Sequence, residues 1–352
     1  MPVCSVLEQV ATFACPRYSV SMRIVIATPL YPPEVGGPSY YAEGLAQALQ
    51  KKGESVSVIS YGSLKYFPMG ARHFFYACKL LPYVLRSEIV IILDTFSAAL
   101  PAVFLATIFR KNALLRTGGD FLWEQYVERT KQSLPLPNFY SFATLSPKEQ
   151  LIFRLTRWLL HKCTVLFSTE FQRELWVKAY SLNPETTKIV ENAIEPSLDG
   201  IPYVKKNFLF YVRPIFLKNR DRLVEAFAAV QRMHPGISLE EGMVPKKELL
   251  EKMKSCYAVI LPSLSEVSPN YITDALRFRK PFILTKHTGY ADVLKNYGIL
   301  IDPLDVKDIQ KAIETLATAD GYKSACEKAQ SFSLKERTYE DVANDFMQYF
   351  PR

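Results

Sequence analysis

The sequence has no uninterrupted apolar run of the ~18 residues a membrane-spanning helix needs, which argues against an integral membrane protein. Histidine is scarce: there are four, none within metal-ligand spacing of another. Six cysteines (Cys4, Cys15, Cys78, Cys163, Cys256, Cys326) are scattered without a C-x-x-C pair. Together these argue against a structural zinc site, and the thiols are expected to be reduced in a cytoplasmic protein. Residues 1–21 lack the basic start and long apolar segment of a secretory leader. They read as a short extension, or as residues upstream of a start at Met22. Short-period repeats and low-complexity tracts are also missing.

Charge of one sign is not gathered anywhere. The formal net charge is +8, but residues 1–200 carry 20 Lys+Arg against 16 Asp+Glu and residues 201–352 carry 23 against 19, so each part holds +4. A nucleic-acid face concentrates its charge, so no nucleic-acid partner is expected. An even spread fits anionic ligands or an anionic membrane surface. What is present is 49% apolar and 22% charged residues, enough for a sizeable core. At roughly 150 residues per domain, the length predicts two domains.

From Arg23 the chain reads as a buried strand over 24–27, a Pro/Gly-rich loop over 28–39, a helix with Leu45, Ala46 and Leu49 at the 3.6 period, a stop at Gly53 and a strand over 56–60. Apolar strands follow over 89–93, 113–116, 164–168 and 188–190. After a lapse around 196–202, a second series has strands over 208–212, 258–261, 282–285 and 299–301. Its helices span 221–233 and 271–279, with another starting near Asp305 and Asp308 and a last one over 334–350. Strands apolar throughout, alternating with helices, predict parallel sheets covered on both faces. The fold class is therefore α/β, two doubly wound domains facing each other across a cleft, with ligands at the carboxyl ends of the strands. Residues 123–150 resist this scheme and read either as a functional loop over the cleft or as a helical excursion.

Three stretches could carry chemistry. Gly36 and Gly37 stand between a strand and a helix, where the backbone can approach an anion, or they form a plain tight turn. Arg213 follows a strand and Lys218 precedes a helix; such cations can hold a diphosphate, or are solvated side chains. In Ser263-Leu-Ser-Glu266-Val-Ser-Pro-Asn-Tyr-Ile-Thr-Asp274, Ser268 reads as an N-cap and Pro269 as the first helical residue. The amides of Asn270 and Tyr271 would then face an anion, with Asp274 about one turn on. The bland reading leaves Asp274 to favour the helix N-terminus and Glu266 on the surface.

Taken in order, these segments resemble the group 1, or family 4, retaining glycosyltransferases, which have the two-domain fold called GT-B. The likeness rests on Arg23-Ile-Val-Ile-Ala-Thr-Pro-Leu-Tyr-Pro-Pro-Glu-Val-Gly-Gly, Lys188-Ile-Val-Glu-Asn-Ala-Ile, Phe210-Tyr-Val-Arg213 with Lys218, Leu261 through Pro281, and Gly298-Ile-Leu-Ile-Asp-Pro. The resemblance implies sugar transfer from a nucleotide-diphosphate sugar, with no cofactor and no metal, to a saccharide or lipid-linked acceptor. It places Gly37 near the donor phosphates, Arg213 and Lys218 on the diphosphate, and Glu266 on the donor sugar. Asn270 and Tyr271 would offer amides to the leaving phosphate, and Asp274 would face the ribose.

The chain departs from the family's pattern at several points. Asp274 stands where the family has Glu, and Gly119-Asp120 where many relatives have His-Asp, leaving Asp120 or Glu124 to meet the acceptor. Only residues 236–240 separate one helix from the turn 241–245, too few for the strand, helix and strand of relatives, so the C-terminal domain is expected to be shortened.

The expected domains are an extension over 1–21, an acceptor-side domain over 22–200, a nucleotide-sugar domain over 201–333, and a helix over 334–352 packing back on the first. The helical run 72–86 mixes apolar and basic residues and reads as core-packed or as a peripheral contact with the inner membrane face. The alternative function is a catalytically silent nucleotide-sugar-binding protein.

Overall fold

The computed structural model describes residues 21–350 except Val35, Lys65 and Leu334, so residues 1–20 of the extension over 1–21, with Cys4 and Cys15, lie outside the described residues. Eleven strands occur among them: β1 Arg23–Thr28, β2 Ser55–Ser60, β3 Ile89–Ile92, β4 Asn112–Thr117, β5 Thr164–Phe167, β6 Thr187–Ile189, β7 Lys206–Tyr211, β8 Ile237–Gly242, β9 Ala258–Leu261, β10 Phe282–Thr285 and β11 Ile299–Ile301. They form two sheets in the orders β2-β1-β3-β4-β5-β6 and β11-β10-β9-β7-β8. Every pairing between them is parallel.

Central strands such as β3 and β9 are apolar throughout because each sheet is covered on both sides. Along β3, Val90 and Ile92 enter one core while Ile89 and Ile91 enter the opposite one. Along β9, Ala258 and Ile260 face one layer of helices, and Val259 and Leu261 the other. Each Val, Leu or Ile side chain here contributes about 1.5–3 kcal/mol through burial, so these strands pin both layers of helices. In each sheet the strand order reverses once, between β1 and β3 and between β7 and β9, and ligands of such sheets sit beyond the carboxyl ends at those points.

The second sheet has five strands against six, and the gap expected to be a bare connection is itself structured. Residues read as a bare connection form β8, which pairs with β7 from Lys206–Ile237 to Tyr211–Gly242, and the helix Arg220–Met233 supplies the crossover. A short edge strand with one buried end, Ile237, carries too little periodicity to be seen in sequence.

The segment 123–150 is a helical excursion: helices Phe121–Thr130, Leu136–Phe142 and Pro147–Leu160 replace a loop. Ser146 and Glu149 form a capping box on the third, and Trp123 Nε1 donates to Leu134 O (2.8 Å), closing the first turn of chain.

The chain's end differs from the expected single helix. A helix at Ala319–Ser331 precedes Arg337, whose backbone exchanges hydrogen bonds with Ile194 (2.8 and 2.9 Å), and only then comes the helix Tyr339–Met347. Its Val342, Ala343 and Phe346 join Tyr41, Leu45 and Leu49 of the helix Gly37–Lys51. Gly44 is required there, because a Cβ would stand 2.5 Å from the Tyr339 ring.

Candidate active site

Lys218 and Glu266 meet at the switch point of the second sheet. Lys218 ends a one-turn helix, Phe216–Lys218, just beyond β7, and Glu266 lies in the loop beyond β9. Their side chains form an ion pair and are only 16% and 14% exposed. The loops are fixed from beneath. Asn219, in the left-handed region at φ 60°, donates from Nδ2 to Pro262 O (3.0 Å) and Pro303 O (2.7 Å), tying the loop after β7 to those after β9 and β11. Glu266 N–H donates to His287 O (2.9 Å), and Gly289 N–H to Glu266 O (3.0 Å). A pair held this way can trade its internal partner for a ligand charge without moving its backbone.

Arg213 is exposed, and Glu124 of the helix Phe121–Thr130 lies 3.9 Å from it across the cleft. Burial pushes the Glu124 carboxyl above its usual range, opposed by Arg213 and then Lys218. Arg213, Lys218, Glu266 and Glu124 therefore surround one place, the first three from the second sheet and the last from the first.

The helix N-terminus expected nearby is present with a shifted start. Pro269 occupies the cap position and Asn270 begins the helix Asn270–Arg277. Ser268 does not cap it; its hydroxyl reaches across the cleft to Ser168 Oγ (2.9 Å). The Asn270 amide turns back to Ser268 O (2.9 Å), leaving Tyr271 as the next amide at that end. The Tyr271 hydroxyl accepts from Tyr211 N–H (3.0 Å), which fastens the helix to β7. Asp274 is nearly buried, paired with Lys246 and 3.6 Å from Arg277 Nη1. Burial raises its carboxyl, against the pull of Lys246.

Gly36 and Gly37 lie at the carboxyl end of β1 and start the helix Gly37–Lys51, which has no side-chain cap. A Cβ on Gly37 would meet nothing within 4 Å, so that backbone is open. Glu34 steadies the loop through Ser60 Oγ (3.1 Å).

Asp120 is placed differently from Glu124. Its carboxylate is 1% exposed and turned into the core, where it accepts from Trp123 N–H (3.0 Å), Trp176 Nε1 (2.8 Å) and the Tyr140 hydroxyl. It caps the helix that carries Glu124. Burial raises its pKa.

Three residues escaped the sequence reading: Lys246, Arg116 and Asn192. Lys246 follows the unseen β8, and Asn192 follows β6. Arg116, a charge inside an apolar strand, was a signal available in the sequence.

The excursion also reaches the site. Leu136 N–H donates to Ser265 Oγ (2.9 Å), next to Glu266, and Leu217 N–H to Glu128 (3.3 Å), next to Lys218. Trp123, Val127 and Leu136 pack with Leu217, Leu264 and Val267 in one apolar cluster.

A family model described as glycosyl transferases group 1 matches residues 242–333, which include Glu266 and Asp274. No curated protein matches the sequence. Among solved structures, Anabaena Alr3699/HepE in complex with UDP and glucose is similar at TM-score 0.65 and 13% identity, covering 93% of this chain and 99% of that one. WaaG, a glycosyltransferase involved in lipopolysaccharide biosynthesis, gives 0.65 and 14%, covering 92% and 99%. Sucrose-phosphate synthase from Thermosynechococcus elongatus gives 0.64 and 14%, covering 92% and 97%. With two parallel α/β sheets and a superposition that covers 92–93% of the chain, it has the GT-B fold of these proteins.

Proposed function

We propose that the chain is a retaining, metal-independent glycosyltransferase of hexosyltransferase type. It moves a sugar from a nucleoside-diphosphate sugar to a saccharide or lipid-linked acceptor, in glycan, polysaccharide or glycolipid synthesis. The observation that carries this reading is the Lys218–Glu266 pair at the β7/β9 switch point, beside the N-terminus of Asn270–Arg277. The family match over that stretch supports it, as does a protein of the same fold solved with UDP and glucose.

In this reading Lys218 and Arg213 take the diphosphate. Lys218 exchanges its carboxylate partner for phosphate, which releases Glu266 to accept from hydroxyls of the donor sugar. The Tyr271 amide and the helix start at Pro269 and Asn270 face the leaving phosphate. Gly36 and Gly37 let backbone approach the phosphates, and Asp274 accepts from the ribose while keeping Lys246. The anomeric C–O bond breaks with its electron pair leaving on the diphosphate. The acceptor oxygen bonds on the same face and gives its proton to the leaving phosphate. Glu124 is the acceptor contact, and Asp120 positions it by capping its helix.

Incubation with a panel of nucleotide sugars and acceptors should release nucleoside diphosphate, and Lys218→Ala or Glu266→Ala should abolish that release. A protein that neither turns over nor binds any nucleotide sinks the reading. The silent alternative is favoured by one observation, the engagement of Asp274 by Lys246 and Arg277. Calorimetry showing binding without turnover, with acceptor present, selects it.

We place the protein in the cytoplasm with at most peripheral contact to the inner membrane face. No helix among the described residues is long and apolar enough to cross a membrane. The helix Met69–Arg86 buries Tyr76, Leu80 and Val84, exposes Phe74, Phe75, Tyr83 and Leu85, and carries basic but no acidic residues. Flotation with anionic liposomes should carry the protein upward, and its absence from the lipid fraction removes this part of the proposal.

A further inference from the structure

Resting on the glycosyl-transfer reading, we infer that Arg116 binds an anionic oxygen group, phosphate or carboxylate, of a substrate in the cleft. Arg116 is the penultimate residue of β4 and only 8% exposed. No carboxylate among the described residues forms an ion pair with it, and its Nε has no hydrogen-bond partner. Its Nη2 donates to Asn192 Oδ1, a neutral acceptor, and its Cζ lies 4.1 Å from the centre of the Tyr41 ring. A guanidinium cannot shed its charge by deprotonating, and burying it without a counter-ion is unfavourable. The aromatic face offsets part of that cost and leaves the charge only partly compensated.

The surroundings point the residue at the cleft. Asn192 Nδ2 donates to Asn270 Oδ1 (2.9 Å), so the amide is oriented with its oxygen on Arg116 and its nitrogen on the first residue of the helix Asn270–Arg277. At Gly118 a Cβ would stand 2.7 Å from Arg116 Nη1, so the guanidinium occupies room that any side chain there would take. The next residue, Gly119, lies beside Glu124, where a Cβ would be 3.1 Å from Oε1. Other arginines of the region have their acids: Arg337 pairs with Asp345, and Arg277 with Glu195. Arg116 alone among these three is left for a charge from outside.

The anionic group has two sources, the donor's diphosphate through the Asn270 side, or a charged group of the acceptor through the Glu124 side. The full-length protein and its Arg116→Met and Asn192→Asp variants are titrated by calorimetry with UDP, GDP, ADP and dTDP, and then, saturated with the nucleotide that binds, with inorganic phosphate. Loss of a charged hydrogen bond corresponds to about ten-fold or more in affinity. A donor source gives that loss for the nucleotide in Arg116→Met. An acceptor source leaves nucleotide affinity unchanged and removes phosphate binding seen in the parent. Asn192→Asp hands Arg116 an internal carboxylate, so it should melt higher than the parent and yet lose the same anion. This separates the proposal from simple unfolding. Nucleotide and phosphate binding that are alike in all three proteins overturn the inference and leave the reaction standing. A parent that binds no nucleotide overturns the reaction, while the phosphate titration still decides Arg116: binding lost in both variants supports the inference, and no binding or unchanged binding overturns it.

Discussion

The two edges of the cleft handle charge in opposite ways. On the second sheet's edge, cations and acids come in pairs: Lys218 with Glu266 in the loops, and Lys246 with Asp274 at the helix Asn270–Arg277. On the first sheet's edge, Asp120 is locked inside a cage of neutral donors and Arg116 rests on an aromatic ring and an amide. A paired edge is stable while empty and can exchange one partner for a ligand, because each charge already has its opposite nearby. A caged acid contributes to the fold and has no partner to exchange. The difference separates charges that can trade an internal partner for a ligand from charges held by neutral groups, and it can be broken by substitution.

The largest effect is expected at the pair. Lys218→Met removes the diphosphate's cation and also leaves Glu266 without its counter-ion, so nucleoside-diphosphate affinity should fall about a hundred-fold or more and the melting temperature should drop. Adding Glu266→Met should restore the melting temperature but not the affinity. If the double variant binds nucleotide like the parent, the pair is structural and the two edges do not differ.

Asp120→Ala should do the reverse. It strands Trp176 Nε1 and an N-terminal amide and leaves the Tyr140 hydroxyl only Tyr180, at a cost of about 3 kcal/mol in denaturant unfolding, while nucleotide affinity of the folded protein stays within about two-fold. The pH dependence has a definite sign. Burial raises the folded pKa of Asp120 above that of the unfolded chain, so its contribution is fully present below the unfolded value, near 4, and is lost as pH rises through the folded one. Measured against Asp120→Asn, the parent's stability should therefore decline as pH rises from about 4.

How much of this was legible follows from where each contact lies in the chain. The strands β1, β3, β9 and β10 announce themselves as short apolar runs, and Glu266 to Asp274 form one loop and one helix, so a single stretch of sequence carries that edge. In sequence Asp120 reads as an acceptor residue, because its carboxylate is visible there but not its donors from Tyr140 and Trp176, 20 and 56 positions away. Lys246 was hidden behind β8, whose pattern is too short to read. The excursion Phe121–Phe142 had helical pieces without a long period, because its apolar residues face two partners, its own sheet and the loops of the other.

That double allegiance gives the smallest and most informative test. Ser265 is buried, accepts from Leu136 N–H and donates to Leu264 O (2.6 Å), one residue before Glu266. Ser265→Ala leaves the Leu136 amide without its acceptor, at a cost of about 1–2 kcal/mol. In a chain of this size that corresponds to a melting temperature lower by about 1–3 °C. If the excursion only covers the core, nucleotide affinity should be untouched by the change. If it holds the loop that aims Glu266, as its contacts on either side of the pair imply, affinity should weaken about two- to five-fold in the same protein, with less than about 1 kcal/mol separating the two outcomes. Measuring both on one sample decides whether the first edge, which keeps Asp120 caged, positions the exchangeable pair of the second.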